Sequence, residues 1–232
     1  MTSHDTLAVL EVRDLMKHFV LHNVDGRRVE GLLGVDLVVH PGEHVALAGS
    51  SGAGKSSLLK CIHRTYSPSS GQVLFRRSDG AVIDLVGLAD HEMAALRGRE
   101  LGYVSQFLRA QPRRTPLDIV VRAAVQRGMA RHVADDTARD ALGRLNLDPA
   151  LWDVHASVLS GGERQRVNLA AGTVSPPRLL LLDEPVSALD PANRDAALDL
   201  IAGLTERGVA VLSVVHDLEA MERLATRVVV MA

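Results

Sequence analysis

One cysteine, Cys61, in 232 residues excludes an internal disulfide framework. Its place in an expected helix points to a buried, inert thiol rather than a functional one. No apolar run approaches the ~18 residues that cross a bilayer, and Met1-Thr2-Ser3-His4-Asp5 has neither the charged nor the apolar segment of a secretory leader. Charge of one sign is lacking too: 26 Lys and Arg stand against 28 Asp and Glu, a net charge of −2. That balance gives no general pull toward nucleic acid or anionic lipid, and the pairs Arg27-Arg28 and Arg113-Arg114 read as solvated surface. Internal repeats, low-complexity tracts and long linkers are also missing. The expectation is a cytoplasmic protein with no nucleic-acid partner and no direct membrane insertion, held at a membrane only if a partner holds it there.

What is present suits a compact α/β engine. At 47% hydrophobic, the chain can bury a substantial core as a single domain. His44 to Ala48 reads as a strand, and Lys55 to Arg64 as the helix after it. Leu179 to Leu182 and Val209 to Val215 are short continuous apolar runs of the kind that doubly covered parallel strands need. Val9 to Val12, Val35 to Val39, Gln72 to Phe75 and Val82 to Leu85 read as shorter strands broken by Gly and Asp turns, which suits an antiparallel side sheet. Behind Pro116, Leu117, Val120, Val121 and Ala124 recur at helical spacing, inside a stretch of helical character. The division expected is one domain over 1–232, with a nucleotide core formed by 1–106 and 173–232 and an inserted helical subdomain over 107–172.

Gly49-Ser50-Ser51-Gly52-Ala53-Gly54-Lys55-Ser56, with Ser57 beside it, is a full G-x-x-x-x-G-K-S phosphate loop between a strand and a helix. Its chemistry is that of the backbone: glycines let the chain wrap a triphosphate, and NH groups with a helix N-terminus face the anionic oxygens. Lys55 would reach the β and γ phosphates, and the Ser56 hydroxyl would take one Mg²⁺ position. Asp183 ends an apolar strand, where an ionised carboxylate is costly unless a cation or donors compensate it; binding Mg²⁺, through water, is that compensation. Glu184 follows and would accept a proton from the attacking water. The competing reading of Asp183-Glu184-Pro185 is a plain turn after a strand, and the intact phosphate loop outweighs it.

Between these two motifs in the order of the chain stands Leu159-Ser160-Gly161-Gly162-Glu163-Arg164-Gln165-Arg166. The three together resemble the ATP-binding-cassette (ABC) ATPases. That resemblance implies an α/β fold with a RecA-like P-loop core and mostly parallel sheet, an antiparallel β side sheet and an inserted α-helical subdomain, with ATP and Mg²⁺ as cofactors. It also implies roles for further residues. Gln106 is similar to the glutamine that senses Mg²⁺ and the γ-phosphate, and His216 to the switch histidine. Asp190, in Ser187-Ala188-Leu189-Asp190, is similar to the loop that crosses between protomers. Phe19 is a candidate for stacking on adenine, with a plain core Phe as the rival reading. Ser160, Gly161, Gly162 and Glu163 would cover the ATP of a dimer partner, so the working state implied is a head-to-tail dimer.

Outside the shared motifs, Phe19-Val20-Leu21-His22, Tyr103 to Arg109, Arg144-Leu145-Asn146-Leu147 and Leu151-Trp152 resemble the PhnL family, ABC-type subunits of the bacterial carbon-phosphorus lyase system. This resemblance implies phosphonate catabolism, association with formation of a ribose methylphosphonate triphosphate, and as partners a second copy or the sister subunit PhnK within the lyase core complex. The alternative is the ATPase of a membrane transporter or lipoprotein-release complex, which would carry the same motifs. Ala171 stands where the ABC family usually has Arg, so altered packing or polar contacts are expected there with hydrolysis retained. The sequence ends at Ala232 just after Val228 to Met231, which leaves no regulatory tail to interpret.

Overall fold

The computed structural model describes residues 7–21, 27–105 and 113–231. Two sheets organise it. The first is antiparallel, with order β2-β1-β4-β5, where β1 is Leu10–Leu21, β2 Arg27–Val39, β4 Ser70–Arg76 and β5 Val82–Asp84. The second has order β6-β7-β8-β3-β9, with every neighbouring pair parallel; β3 is His44–Ala48, β6 Leu101–Val104, β7 Leu179–Asp183, β8 Ala210–Val214 and β9 Arg227–Val230.

The long strands β1 and β2 were expected as shorter pieces. Their pairing slips in register between Val12 and Leu15, again before Lys17, and again before His18. At the first slip Asp14 has φ 45° while its N–H donates to Asp36 Oδ1 at 3.0 Å, and Gly34 opposite has φ 68°. Such bulges hide a strand from a reading that counts strict alternation.

Helix α1 (Lys55–Ile62) follows β3 and packs across β7 and β8. It stops two residues before the expected Arg64, which takes a left-handed φ of 58°. Helix α2 (Asp90–Arg99) precedes β6. Then come α3 (Pro116–Gln126), α4 (Arg131–Arg144) and α5 (Gly161–Thr173), and finally α6 (Pro191–Glu206) and α7 (Leu218–Leu224) around β8. Thr115 caps α3 by accepting from the Asp118 N–H at 3.2 Å, directly before Pro116, the arrangement that suits a helix start.

The parallel sheet separates two apolar cores. Leu180 and Leu182 join α3, α4, α5 and α6 on one side, whereas Leu179 and Leu181 join α1, α2 and the antiparallel sheet on the other. All four leucines are 0% exposed, which explains why β7 is apolar at every position rather than at alternate ones. Among the described residues, no helix is long and apolar enough to cross a membrane. The expected subdomain boundary at 106/107 lies outside the described residues. Of the two expected surface pairs, Arg113 is exposed, while Arg114 is half-buried and donates to Asp118 Oδ2 at 2.6 Å.

Candidate ATP site

The functional residues converge at the carboxyl ends of the parallel strands, where open α/β sheets place their ligands. β3 ends in the loop 49–54. Gly54 precedes α1 with φ 85°, and a Cβ there would lie 2.2 Å from Gly31 O; a Cβ on Gly49 (φ 137°) would lie 2.3 Å from Met231 O. No side chain caps α1, so its first N–H groups are presented as a positive helix end. Lys55, 6% exposed, turns its Nζ back to donate to Gly49 O and Ser50 O, both at 2.8 Å. The loop and the ammonium therefore form one cationic cradle.

β8 lies between β3 and β7, yet α1 spans that gap and brings Ser56 onto Asp183. The Ser56 Oγ donates to Asp183 Oδ1 at 2.7 Å, and the Tyr103 hydroxyl on β6 donates to Oδ2 at 2.9 Å. A buried carboxylate is thus held by two hydroxyls at the sheet's end, which is the hard oxygen donor set that Mg²⁺ takes with phosphate and water. Among the described residues there is no group of three or more His, Cys, Asp or Glu that could hold a metal. The residues fit a cation that shares its coordination with a nucleotide, and do not form an all-protein cage.

Glu184 comes next with φ 51°, a left-handed conformation that a non-glycine residue adopts at a cost. Its N–H donates to Val214 O at 3.0 Å, continuing the β7-β8 ladder, and its carboxylate Oε1 lies 3.3 Å from His216 Nε2. Phe19, Glu30, Gly31, Ser51, Gly52, Gly54, Lys55, Ser56, Ser57, Glu184 and His216 are all among the residues around one cavity of about 340 Å³. A neighbouring cavity of about 580 Å³ touches the outer side of the loop at Ser50, Gly52 and Ala53 but lacks Lys55, Ser56 and Glu184. The smaller one therefore has the chemistry for a triphosphate. Phe19 meets Tyr66 edge to face at 5.4 Å with Lys17 Nζ 5.0 Å above its ring, so it is both packed and at the cavity wall.

Ser160 to Glu163 and Asp190 are not part of that cavity wall. Ser160 caps α5: its Oγ accepts from Glu163 N–H at 3.3 Å, and Glu163 Oε2 accepts from Ser160 N–H at 2.7 Å. These bonds hold the Glu163 carboxyl below the usual carboxylate range and fix the helix end that Gly161 and Gly162 open. Inside the chain this helix is tied to the nucleotide side by Gln165 Nε2 donating to Pro185 O at 2.9 Å and Asn168 Nδ2 to Ser105 O at 2.7 Å. Asp190 caps α6, accepting from Asn193 N–H at 3.1 Å. Gln106 lies outside the described residues. Sequence reasoning missed Tyr103 and Gln165 as site residues; neither carries a signal that a single sequence reveals, because each acts through a partner brought close by the fold. The Ala171 backbone carbonyl accepts from Arg127 Nη1 at 2.9 Å, a bond that does not depend on the side chain at this position.

A phosphate loop, a strand-end carboxylate bonded to its serine, and a capped glycine-rich helix outside the cavity they share define a P-loop ATPase of the cassette class. Residues 32–187 match the family model described as ABC transporter, and the chain belongs to that family as one of its ATP-hydrolysing cassettes. It is 38% identical over 212 residues to the lipoprotein-releasing system ATP-binding protein LolD of Shewanella frigidimarina, with 90% of this chain and 84% of that protein covered. It is 34% identical over 211 residues to the methionine import ATP-binding protein MetN of Xanthomonas axonopodis pv. citri, covering 90% of this chain and 61% of that one. In fold it is similar to the ATP-binding cassette MJ0796, solved as a dimer in a post-hydrolysis state bound to ADP and Pi, with a TM-score of 0.85, 26% identity, and 96% and 94% of the two chains covered.

Proposed function

We propose that this cassette hydrolyses Mg²⁺-ATP as a head-to-tail dimer whose closure drives a partner assembly. Lys55 and the N–H groups of the loop bind the phosphates, Ser56 and Asp183 hold the cation with Gln106, and Phe19 packs against adenine. Mg²⁺, when bound, supplies charge neutralisation at the phosphate oxygens. Glu184 takes the proton of the attacking water at its carboxylate, and His216 keeps that carboxylate oriented while contacting the γ-phosphate. Ser160, Gly161, Gly162 and the N-terminus of α5 cover the nucleotide of the second copy or of a sister subunit, with Asp190 beside the crossing. The observation that carries the reading is the convergence in one cavity of Lys55, Ser56, Glu184 and His216, with Asp183 bonded to Ser56 at 2.7 Å.

Replacing Glu184 with Gln removes the proton acceptor, and turnover should fall by about 10²–10⁴, roughly 3 to 5 kcal/mol of barrier, with ATP binding retained. Unchanged steady hydrolysis in Glu184→Gln would remove this carboxylate from the chemistry. Retained binding with no turnover in the unaltered chain, even beside its partners, would instead make the protein an ATP-dependent clamp.

On what the cycle drives, LolD and MetN support a membrane-embedded partner of the lipoprotein-release or import kind. A second reading, an ABC subunit of the carbon-phosphorus lyase system acting beside PhnK in ribose phosphonate triphosphate formation, rests on the sequence resemblance of particular stretches alone. Two of its resembling stretches are structural fixtures: Trp152 Nε1 donates to Leu147 O at 3.0 Å, and Asn146 occupies a left-handed turn with φ 54°. An affinity pull-down of tagged Glu184→Gln chain from phosphate-starved native cells with Mg²⁺-ATP separates them. An integral membrane protein in the eluate supports the first reading and sinks the second; soluble lyase subunits with a second ABC protein do the reverse.

A further inference from the structure

Two consecutive residues in the first turn of α6 reach in different directions, as neighbours on a helix must. The Asn193 Oδ1 accepts from Arg166 Nη1 at 3.1 Å and from Asn146 Nδ2 at 3.3 Å, and its Nδ2 donates to Asp190 Oδ2 at 2.6 Å. Arg166 belongs to the signature helix α5, and its Nη1 also donates to Asn146 O at 2.5 Å. Arg194, one residue on, pairs through Nη2 with Asp217, the residue after His216, and with Glu219 Oε2 at 3.2 Å. Asp217 in turn caps α7 by accepting from the Ala220 N–H at 2.8 Å. The Nε atoms of Arg166 and Arg194 are buried with no hydrogen-bond partner, while their Nη atoms make the contacts above.

We propose that this turn is a relay in which Asn193 and Arg194 are positioning residues, tying the orientation of the signature helix to that of His216. The inference rests on the head-to-tail reading, in which the signature helix touches the partner's nucleotide while His216 faces the chain's own. A tilt of α5 on engaging the partner's phosphates moves Arg166 against Asn193 and so moves the start of α6. Arg194 carries that movement to Asp217 and thus to the His216 imidazole, whose Nε2 lies 3.3 Å from Glu184. Such coupling is carried by packed side chains and hydrogen-bond networks, and here two side-chain contacts, Arg166 with Asn193 and Arg194 with Asp217, are joined by the backbone at 193–194 and 216–217. Neither Asn193 nor Arg194 lines the nucleotide cavity, so their loss should leave ATP affinity alone and lower the rate at which bound ATP is cleaved.

The test is a double-mutant cycle on the purified full chain: Asn193→Ala, Arg194→Ala, both together, and Arg194→Lys, each assayed for steady-state ATPase and for thermal unfolding. Each alanine variant is expected to lower kcat about tenfold with KM within about twofold, and the double variant to be no slower than the worse single, because both cut one path. Arg194→Lys, which keeps the charge facing Asp217 and Glu219, should restore most of the rate without altering the melting temperature. Independent multiplication of the two effects, a kcat equal to that of the unaltered chain in either single variant, or a fall in kcat that merely follows the fraction unfolded would overturn the relay. Sizing each variant in a Glu184→Gln background with Mg²⁺-ATP distinguishes the two levels of argument. A chain that never dimerises refutes the head-to-tail reading; one that dimerises yet shows normal kcat in the alanine variants refutes the relay alone.

Discussion

His44 opens β3, the strand that runs into the phosphate loop, and is 0% exposed. Its Nε2 lies 2.8 Å from Ser213 Oγ, and its Nδ1 has no hydrogen-bond partner. Burial with no counter-charge lowers the imidazole pKa from 6.5 to about 4. In the unfolded chain this group takes its proton near the higher value, whereas the native chain resists until the lower. Between them the native state binds fewer protons, so stability is fully present above about 6.5 and is lost as pH falls toward about 4. At about 1.36 kcal/mol per pH unit the full loss is about 3 kcal/mol, and about 2 kcal/mol of it has gone by about pH 5. Urea unfolding followed by circular dichroism at about pH 7.5 and about pH 5, on the native chain and on His44→Gln, isolates the effect. The native chain should lose about 2 kcal/mol more than the variant over this interval, since other histidines titrate equally in both. Equal losses would refute the reasoning and mean that His44 is hydrated or finds a compensating acceptor.

Two further outcomes follow from the site and its surroundings. Gly54→Ala must place a Cβ 2.2 Å from Gly31 O at φ 85°, so the loop has to rearrange. ATP affinity by fluorescent-nucleotide titration should fall by at least about tenfold, the 1–2 kcal/mol of a left-handed alanine being a lower bound, while near-native affinity would show that the loop tolerates the shift. Cys61 is buried, and that burial pushes its thiol pKa up to about 11. It should resist a thiol-reactive dye at neutral pH until urea unfolds the chain; rapid labelling of the native protein would show that α1 opens locally.

Much of the catalytic end was legible in the sequence because it depends on local chemistry. The strand His44 to Ala48 was read with the observed bounds, and the apolar runs at 179 and 209 differ from β7 and β8 by a residue at the ends. Those strands are buried on both faces, so their composition announces them. The antiparallel sheet was less legible, since the bulge at Asp14 interrupts the alternation on which the reading relies. Helix α2 was not anticipated: among its ten residues only Met93 and Leu96 are buried, one turn of stripe on an otherwise polar helix. The apolar stretch Val228 to Met231 has no turn signal to mark it as a strand, yet residues Arg227–Val230 pair in parallel with β3. Tyr103 carries no local sign of its role. Its bond to Asp183 spans 80 positions of chain, and nothing local encodes it.

The leucines of β7 divide between the two cores, two to each side. Opening this strand to solvent therefore means separating both cores at once, so its amides should exchange hydrogen only through global unfolding. Asp183 and Glu184 hang from the end of that most protected segment. The cation ligand and the proton acceptor thus inherit the rigidity of both cores, whereas Ser160 to Glu163 are held by a reciprocal cap at a helix end.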